Sequence, residues 1–120
     1  MASEIKLKFF SERDFERCFP VCFITDMDIQ FLLKLDSARE YAGLPFILNC
    51  AYRSPSWDKS RGRSGEGYHT KGRAVDVRCC DGESRRKIIE ACLHFGLSVG
   101  VYRSFLHIDD RENPIIFWSN

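Results

Sequence analysis

Gly67-Tyr68-His69-Thr70-Lys71-Gly72-Arg73-Ala74-Val75-Asp76-Val77, followed further along the chain by Phe105-Leu106-His107-Ile108-Asp109, carries the reading that decides the fold. Side chains along a β-strand alternate between its two faces. If Ala74 to Cys79 is a strand, Val75, Val77 and Cys79 point one way and Ala74, Asp76 and Arg78 the other. In Phe105 to Asp109, Leu106 and Ile108 share one face, and His107 and Asp109 the opposite one. Each strand therefore turns an apolar set to a core and a chemical set away from it. As neighbours in one sheet, the two bring Asp76 beside His107. His69 reaches in from the loop before the first strand, where Gly67 and Gly72 permit tight turns.

Two imidazoles and one carboxylate form an N/N/O donor set. Such a set leaves a zinc ion one coordination position open, as catalytic zinc requires. His69, Asp76 and His107 are thus the candidate metal ligands, and Zn2+ is the expected cofactor. Asp109 shares the His107 face, where a carboxylate can accept a proton from water or hold an imidazole in place. Glu66, in the loop beside His69, is a further candidate proton acceptor, whereas Asp110 points the other way.

Outward from these stretches, the chain reads as helices and strands in mixed order. Ser11 is a plausible N-cap with Asp14 in the first turn, predicting a short helix through Arg17 that Pro20 ends. The apolar positions Ile29, Leu32, Leu33, Leu35, Ala38 and Tyr41 follow helical spacing and predict the longest helix, from Thr25 or Asp26 to Gly43. Phe46 to Tyr52 reads as a strand. Arg53 to Gly67 reads as a long polar loop with four basic residues, Arg53, Lys59, Arg61 and Arg63. After the turn at Asp81-Gly82, Ser84 is expected to cap a helix over Arg85 to Phe95. Leu97 to Tyr102 and Phe105 to Asp109 suggest a hairpin, and Ile115 to Trp118 a last strand at the sheet edge. His94, in the last turn of its helix, suits the helix dipole and is assigned no catalytic role. The expected architecture is α+β, one domain over residues 1–120, with a mainly antiparallel sheet and helices packed on one face.

Composition narrows the function classes. At 120 residues with 44% hydrophobic and 29% charged positions, the chain is ordinary for a globular protein with one modest core. A net charge of +1 provides no bulk field towards nucleic acid or anionic membrane. No apolar run approaches the length of a membrane span. The opening Met-Ala-Ser-Glu-Ile-Lys-Leu-Lys lacks a signal-peptide pattern, so synthesis in a cytoplasm is expected. The six cysteines, at 18, 22, 50, 79, 80 and 92, are then expected as reduced thiols, with Cys50 and Cys92 buried as small hydrophobes. Cys18 and Cys22, with Cys79 and Cys80, offer four thiols for a second zinc site, although no pattern of paired metal-binding spacings supports one.

The segment His69-Thr70-Lys71-Gly72-Arg73-Ala74-Val75-Asp76 with His107-Ile108-Asp109 resembles the M15 family of zinc D-Ala-D-Ala carboxypeptidases and peptidoglycan endopeptidases. That family shares its fold with lysostaphin-type enzymes and the hedgehog signalling domain. Ala51-Tyr52-Arg53-Ser54-Pro55 resembles the family's G-Y-R-S-P segment, and Gly100-Val101-Tyr102 its G-V-Y strand. Phe9 to Phe15 and the short length are similar to members carried by small single-stranded DNA phages.

The resemblance implies a hydrolase of peptidoglycan peptides acting at the cell wall once released from the cell that makes it. Net charge and the lack of a long apolar run, read with it, give the expectation of no specific nucleic-acid partner and no membrane insertion. The resemblance also implies that His69, Asp76 and His107 hold zinc, and that Arg53 orients or stabilises the substrate. Two positions depart from the pattern. Gly67 stands where the family has serine, and Ser104 stands where well-studied members have the carboxylate general base. Asp109 is the first substitute for that base and Glu66 the second. A zinc-containing binding module that has lost hydrolysis is the alternative reading.

Overall fold

The computed structural model describes residues 6–118. Its centre is the antiparallel pair of β2 (Ala74–Arg78) and β4 (Phe105–Asp109), the two strands expected from period-two alternation. Their register sets Val75 opposite Ile108, Asp76 opposite His107 and Val77 opposite Leu106. Val75, Val77, Leu106 and Ile108 are buried in the core. Burying each such side chain contributes about 1.5–3 kcal/mol before the entropy of ordering it is subtracted, and a one-residue slip would forfeit all four together.

Helices α1 (Glu12–Glu16), α2 (Ile29–Ala42), α3 (Pro55–Ser60) and α4 (Gly82–His94) complete the α+β architecture. Phe31, Leu32 and Leu35 of α2 and Ile88, Ala91 and Cys92 of α4 pack in the same core as the apolar face of the sheet. Helix α1 has the expected cap, with Ser11 N donating to the Asp14 carboxylate at 2.9 Å. Helix α2 begins a few residues later than expected, because Asp28 caps it by accepting from Phe31 N at 3.0 Å. A 3-10 turn, Ile24–Asp26, takes up the preceding residues, and Gly43 closes the helix at φ 72°. The cap of α4 is Asp81 rather than Ser84: its carboxylate accepts from Glu83 N and Ser84 N at 3.3 and 3.1 Å.

Two larger expectations give way. The sheet is mixed, not mainly antiparallel. Its order is β1 (Leu48–Cys50), β2, β4, β3 (Ser98–Val101), β5 (Ile116–Trp118), and β5 runs parallel to β3 at the edge. Residues 110–115 cross back from the end of β4, so β5 starts at the same end as β3 and cannot form a hairpin with it. Residues 53–67, read as a loop, contain α3 instead. Ser54 caps it by accepting from Trp57 N at 3.1 Å, and Pro55 occupies its first turn.

The face opposite the core carries a row of residues across all five strands: Cys50, Asp76, His107, Gly100 and Phe117, each paired with the next in register. Gly100 leaves room for a ring there, because a Cβ on it would run into the ring of Phe117. Phe117 accordingly lies beside His107, its ring centre 5.9 Å from that of the imidazole.

Candidate metal centre

His69 is held by the 3-10 turn Tyr68–Lys71, which Gly72 ends at φ 69°. Any side chain at Gly72 would collide with the backbone of Asp26, Met27 and Asp28. This close approach allows Asp28 N to donate to Gly72 O at 2.9 Å. His69 Nδ1 donates to the Ala51 carbonyl at 2.6 Å, which leaves Nε2 as the bare nitrogen, 3.3 Å from Asp76 Oδ1. His107 is held from the other side. Its Nε2 donates to Asp109 Oδ2 at 2.8 Å, leaving Nδ1 bare at 3.1 Å from the same Asp76 oxygen.

Two nitrogen lone pairs and a carboxylate oxygen thus meet with no proton of their own between them. Only a shared cation, a proton or a metal ion, makes that arrangement favourable. Donors bound to one zinc ion at about 2.0–2.2 Å lie roughly 3–3.5 Å apart; the two His–Asp separations fall in that range, while the group whose donor atoms all lie within 4.8 Å of one another leaves His107 out. The donor chemistry therefore fits zinc.

The electrostatics agree. Burial alone would lower the basicity of His69, but the Asp76 carboxylate outweighs it and pushes the imidazole up to about 9. His107 is raised too, with Asp109 and Asp76 overcoming the burial penalty. Burial would raise the pKa of Asp76, yet the two imidazoles hold it well below the usual carboxylate range.

Cys50 is the donor that the sequence reading assigned only to packing. Cys50, His69 and Asp76 are all buried and offer donor atoms within 4.8 Å of one another, a group able to hold a metal ion. That grouping omits His107, whereas hydrogen-bond direction pairs His107 with Asp76. Direction is the stronger criterion here. Cys50 Sγ lies 4.0 Å from His69 Nδ1, the nitrogen already committed to Ala51, and it accepts from Arg53 Nε at 3.2 Å. The thiol therefore flanks the His69 ring, while His107 faces the shared carboxylate oxygen.

Asp109 stands behind the site. It is fully buried, accepts from His107, and is gripped by Arg111 through Nε at 2.9 Å and Nη2 at 2.6 Å. Of the two roles left open for it, this is the geometry of a carboxylate that orients an imidazole. Asp110 turns the other way, accepting from Arg73 Nε at 2.8 Å. Glu66 is exposed, and Ser104 O accepts from Cys79 N at 3.0 Å.

Arg53 lies 3.6 Å from Asp76 Oδ2 and 3.4 Å from Asp58 Oδ1. Asp58, only 3% exposed, also accepts from Gly65 N at 3.0 Å and so ties α3 and the following turn to Arg53. A cavity of about 280 Å3 opens over this constellation, lined by Arg53, Arg63, His69, Asp76, Tyr102, Phe105 and His107.

His94 takes no part, its ring stacking on Tyr41 at 4.5 Å. Among the described residues, Cys18, Cys22, Cys79 and Cys80 form no second metal-capable group, and all six cysteines are free thiols. No helix among the described residues is long and apolar enough to cross a membrane.

The family model described as Peptidase M15 matches residues 12–109, from the start of α1 to the end of β4. No curated protein and no solved structure matches the chain.

Proposed function

Because the chain belongs to the peptidase M15 family, we propose that it is a zinc-dependent hydrolase of peptidoglycan peptides, acting at a bond flanked by D-amino acids. His69 Nε2, His107 Nδ1 and the Asp76 carboxylate would hold the metal. Zinc supplies Lewis acidity there, polarising the scissile carbonyl and acidifying water. Arg53, at the wall of the same cavity, grips a substrate carboxylate or stabilises charge developing on the carbonyl oxygen. Asp109 fixes the His107 tautomer and ring angle. One observation carries the reading: two differently anchored imidazoles aim bare nitrogens at one carboxylate oxygen.

The test is metal analysis of the purified protein, then product identification on purified muropeptides with and without chelator. The reading expects bound zinc and a chelator-sensitive product. Trimmed stem peptides would identify a carboxypeptidase, and opened cross-links an endopeptidase. Action at the cell wall then requires release of the protein from the cytoplasm, which fractionation of the producing cells would test.

A second reading, a zinc-holding binding module without hydrolysis, is favoured by one feature. Among the described residues Asp76 is the only carboxylate lining the cavity, and none of them offers a second acid there to accept a proton from water. Bound zinc and retained muropeptide with no product released would decide for it.

A further inference from the structure

Beside the metal-site cavity lies a second groove of about 450 Å3, lined by Phe19, Cys50, Arg53, Trp57, Arg61 and Arg63. The two share Arg53 and Arg63 and so adjoin along these side chains. Three guanidinium groups line this groove. Arg53 is neutralised by Asp58 and Asp76. Among the described residues, no carboxylate lies within ion-pair distance of Arg61 or Arg63.

The nearest acid in sequence, Asp58, is buried and turned inward to Arg53 and Gly65 N. Its backbone carbonyl accepts from both Arg61 N and Arg63 N at 3.1 Å. The same residue thus withholds its charge from these two side chains and fixes the backbone that presents them. Arg61 is further braced by aromatic rings, its guanidinium 4.6 Å from the Trp57 ring centre and 5.6 Å from that of Phe19. A guanidinium stacked on a ring face keeps its in-plane N–H edge available for a carboxylate.

We propose that this groove is a subsite for the acidic part of a peptide, binding a substrate carboxylate next to the bond presented to the metal centre. The assignment of that bond rests on the peptidase reading, whereas the carboxylate binding itself does not. Two unpaired cations on a preformed, aromatic-backed wall suit a short anion with an apolar stem. A nucleic acid suits it less, since a polyanion needs an extended basic track and the chain carries a net charge of only +1.

The test is calorimetric titration of the zinc-loaded protein with the blocked tripeptide N-acetyl-Ala-Glu-Ala amide and with its uncharged counterpart, N-acetyl-Ala-Gln-Ala amide. Wild type, Arg61→Gln and Arg63→Gln are compared, with thermal melts confirming that each variant folds. Wild type should bind the acidic peptide about tenfold or more tightly than the uncharged one, the effect of one or two charge-assisted hydrogen bonds. Each Gln variant should bring that ratio close to unity while leaving affinity for the uncharged peptide unchanged. Arg61→Lys, which keeps the charge but loses the planar stack, should fall between them. No preference for the acidic peptide in wild type, or an undiminished preference in both Gln variants, overturns the proposal. So does tighter binding of a short oligothymidine than of the acidic peptide. Absent hydrolysis would defeat the peptidase reading alone, because the binding ratio remains measurable without turnover.

Discussion

Asp76 and His107 face one another across the β2–β4 pair, with carboxylate oxygen and imidazole nitrogen 3.1 Å apart. Neither depends on a loop for its position. Both strands bury valine, leucine or isoleucine on the reverse side, so the force that forms the sheet also fixes the donors. Only His69 arrives from outside the sheet, and it is clamped by the Ala51 carbonyl.

Removing any one of His69, Asp76 or His107 should abolish stoichiometric zinc binding and peptide hydrolysis together. His69→Ala, Asp76→Ala and His107→Ala, examined by elemental analysis after dialysis, provide the check. Full zinc occupancy in His107→Ala, with loss in Cys50→Ser, would transfer the third ligand to the cysteine.

Asp109→Asn should weaken zinc binding by about 10–100-fold without eliminating it, the usual effect of losing a ligand's outer hydrogen-bond partner. Competition with a chromophoric chelator measures this. Unchanged zinc affinity together with lost turnover would instead make Asp109 a proton acceptor.

The metal-free protein should lose stability as pH rises from about 6.5 to about 9. The His69 pKa is raised from 6.5 to about 9, so the protonated imidazole's stabilising contribution is complete below 6.5 and disappears as pH rises through 9. That contribution is at most roughly 3 kcal/mol. Asp76 has the opposite sense, its contribution present above 3.8 and lost as pH falls towards its depressed folded value. Thermal midpoints in chelator should decline across pH 6.5–9, and the decline should vanish with zinc bound. A flat metal-free profile would count against the shared-cation geometry.

Gly100→Val should destabilise the fold by about 1–3 kcal/mol, the range for overpacking. The new side chain lands on the Phe117 ring and pushes β5 from β3. Adding Phe117→Ala should recover part of the loss, a non-additivity readable in urea midpoints. Strict additivity would mean that the ring and the glycine do not share space.

Asp58→Asn should lower turnover about tenfold through misplacement of Arg53, with zinc occupancy unchanged. It should also cost about 1–3 kcal/mol of stability, since Asn keeps one acceptor oxygen where Asp58 serves both Arg53 and Gly65 N, leaving one buried donor unpaired. Steady-state kinetics with metal analysis separates the two effects. Unaltered kinetics would release Arg53 from any role in the reaction.

Strand periodicity made the Asp76–His107 face legible, because both strands alternate without interruption. Cys50 escaped the same rule for a physical reason. Leu48 pairs with Val77 on the core side, yet Cys50, two residues on, pairs with Asp76 on the chemical side. An irregularity in β1 between them shifts the register by one and turns the thiol towards His69. Nothing in Phe46 to Tyr52 announces that shift. The direction of β5 was equally hidden, since alternation is the same in parallel and antiparallel strands. Helix α3 could have been found: Ser54-Pro55 is a cap followed by a first-turn proline, but the polar run behind it was read as unstructured. With Ser104 at the position where the family has a carboxylate, sequence left the proton acceptor between Asp109 and Glu66; the structure buries the first against His107 and Arg111 and leaves the second exposed.

Gly72 joins two parts of the chain that share no chemistry. Its carbonyl receives the Asp28 amide at the threshold of α2, and its missing side chain lets the two backbones touch. The N-terminal segment, which contributes no donor atom to the cation, is thereby anchored to the turn that carries His69. Deleting that segment would take one anchor from the turn and leave His69 to the Ala51 carbonyl and Arg53 N, even though every coordinating residue remained in the polypeptide.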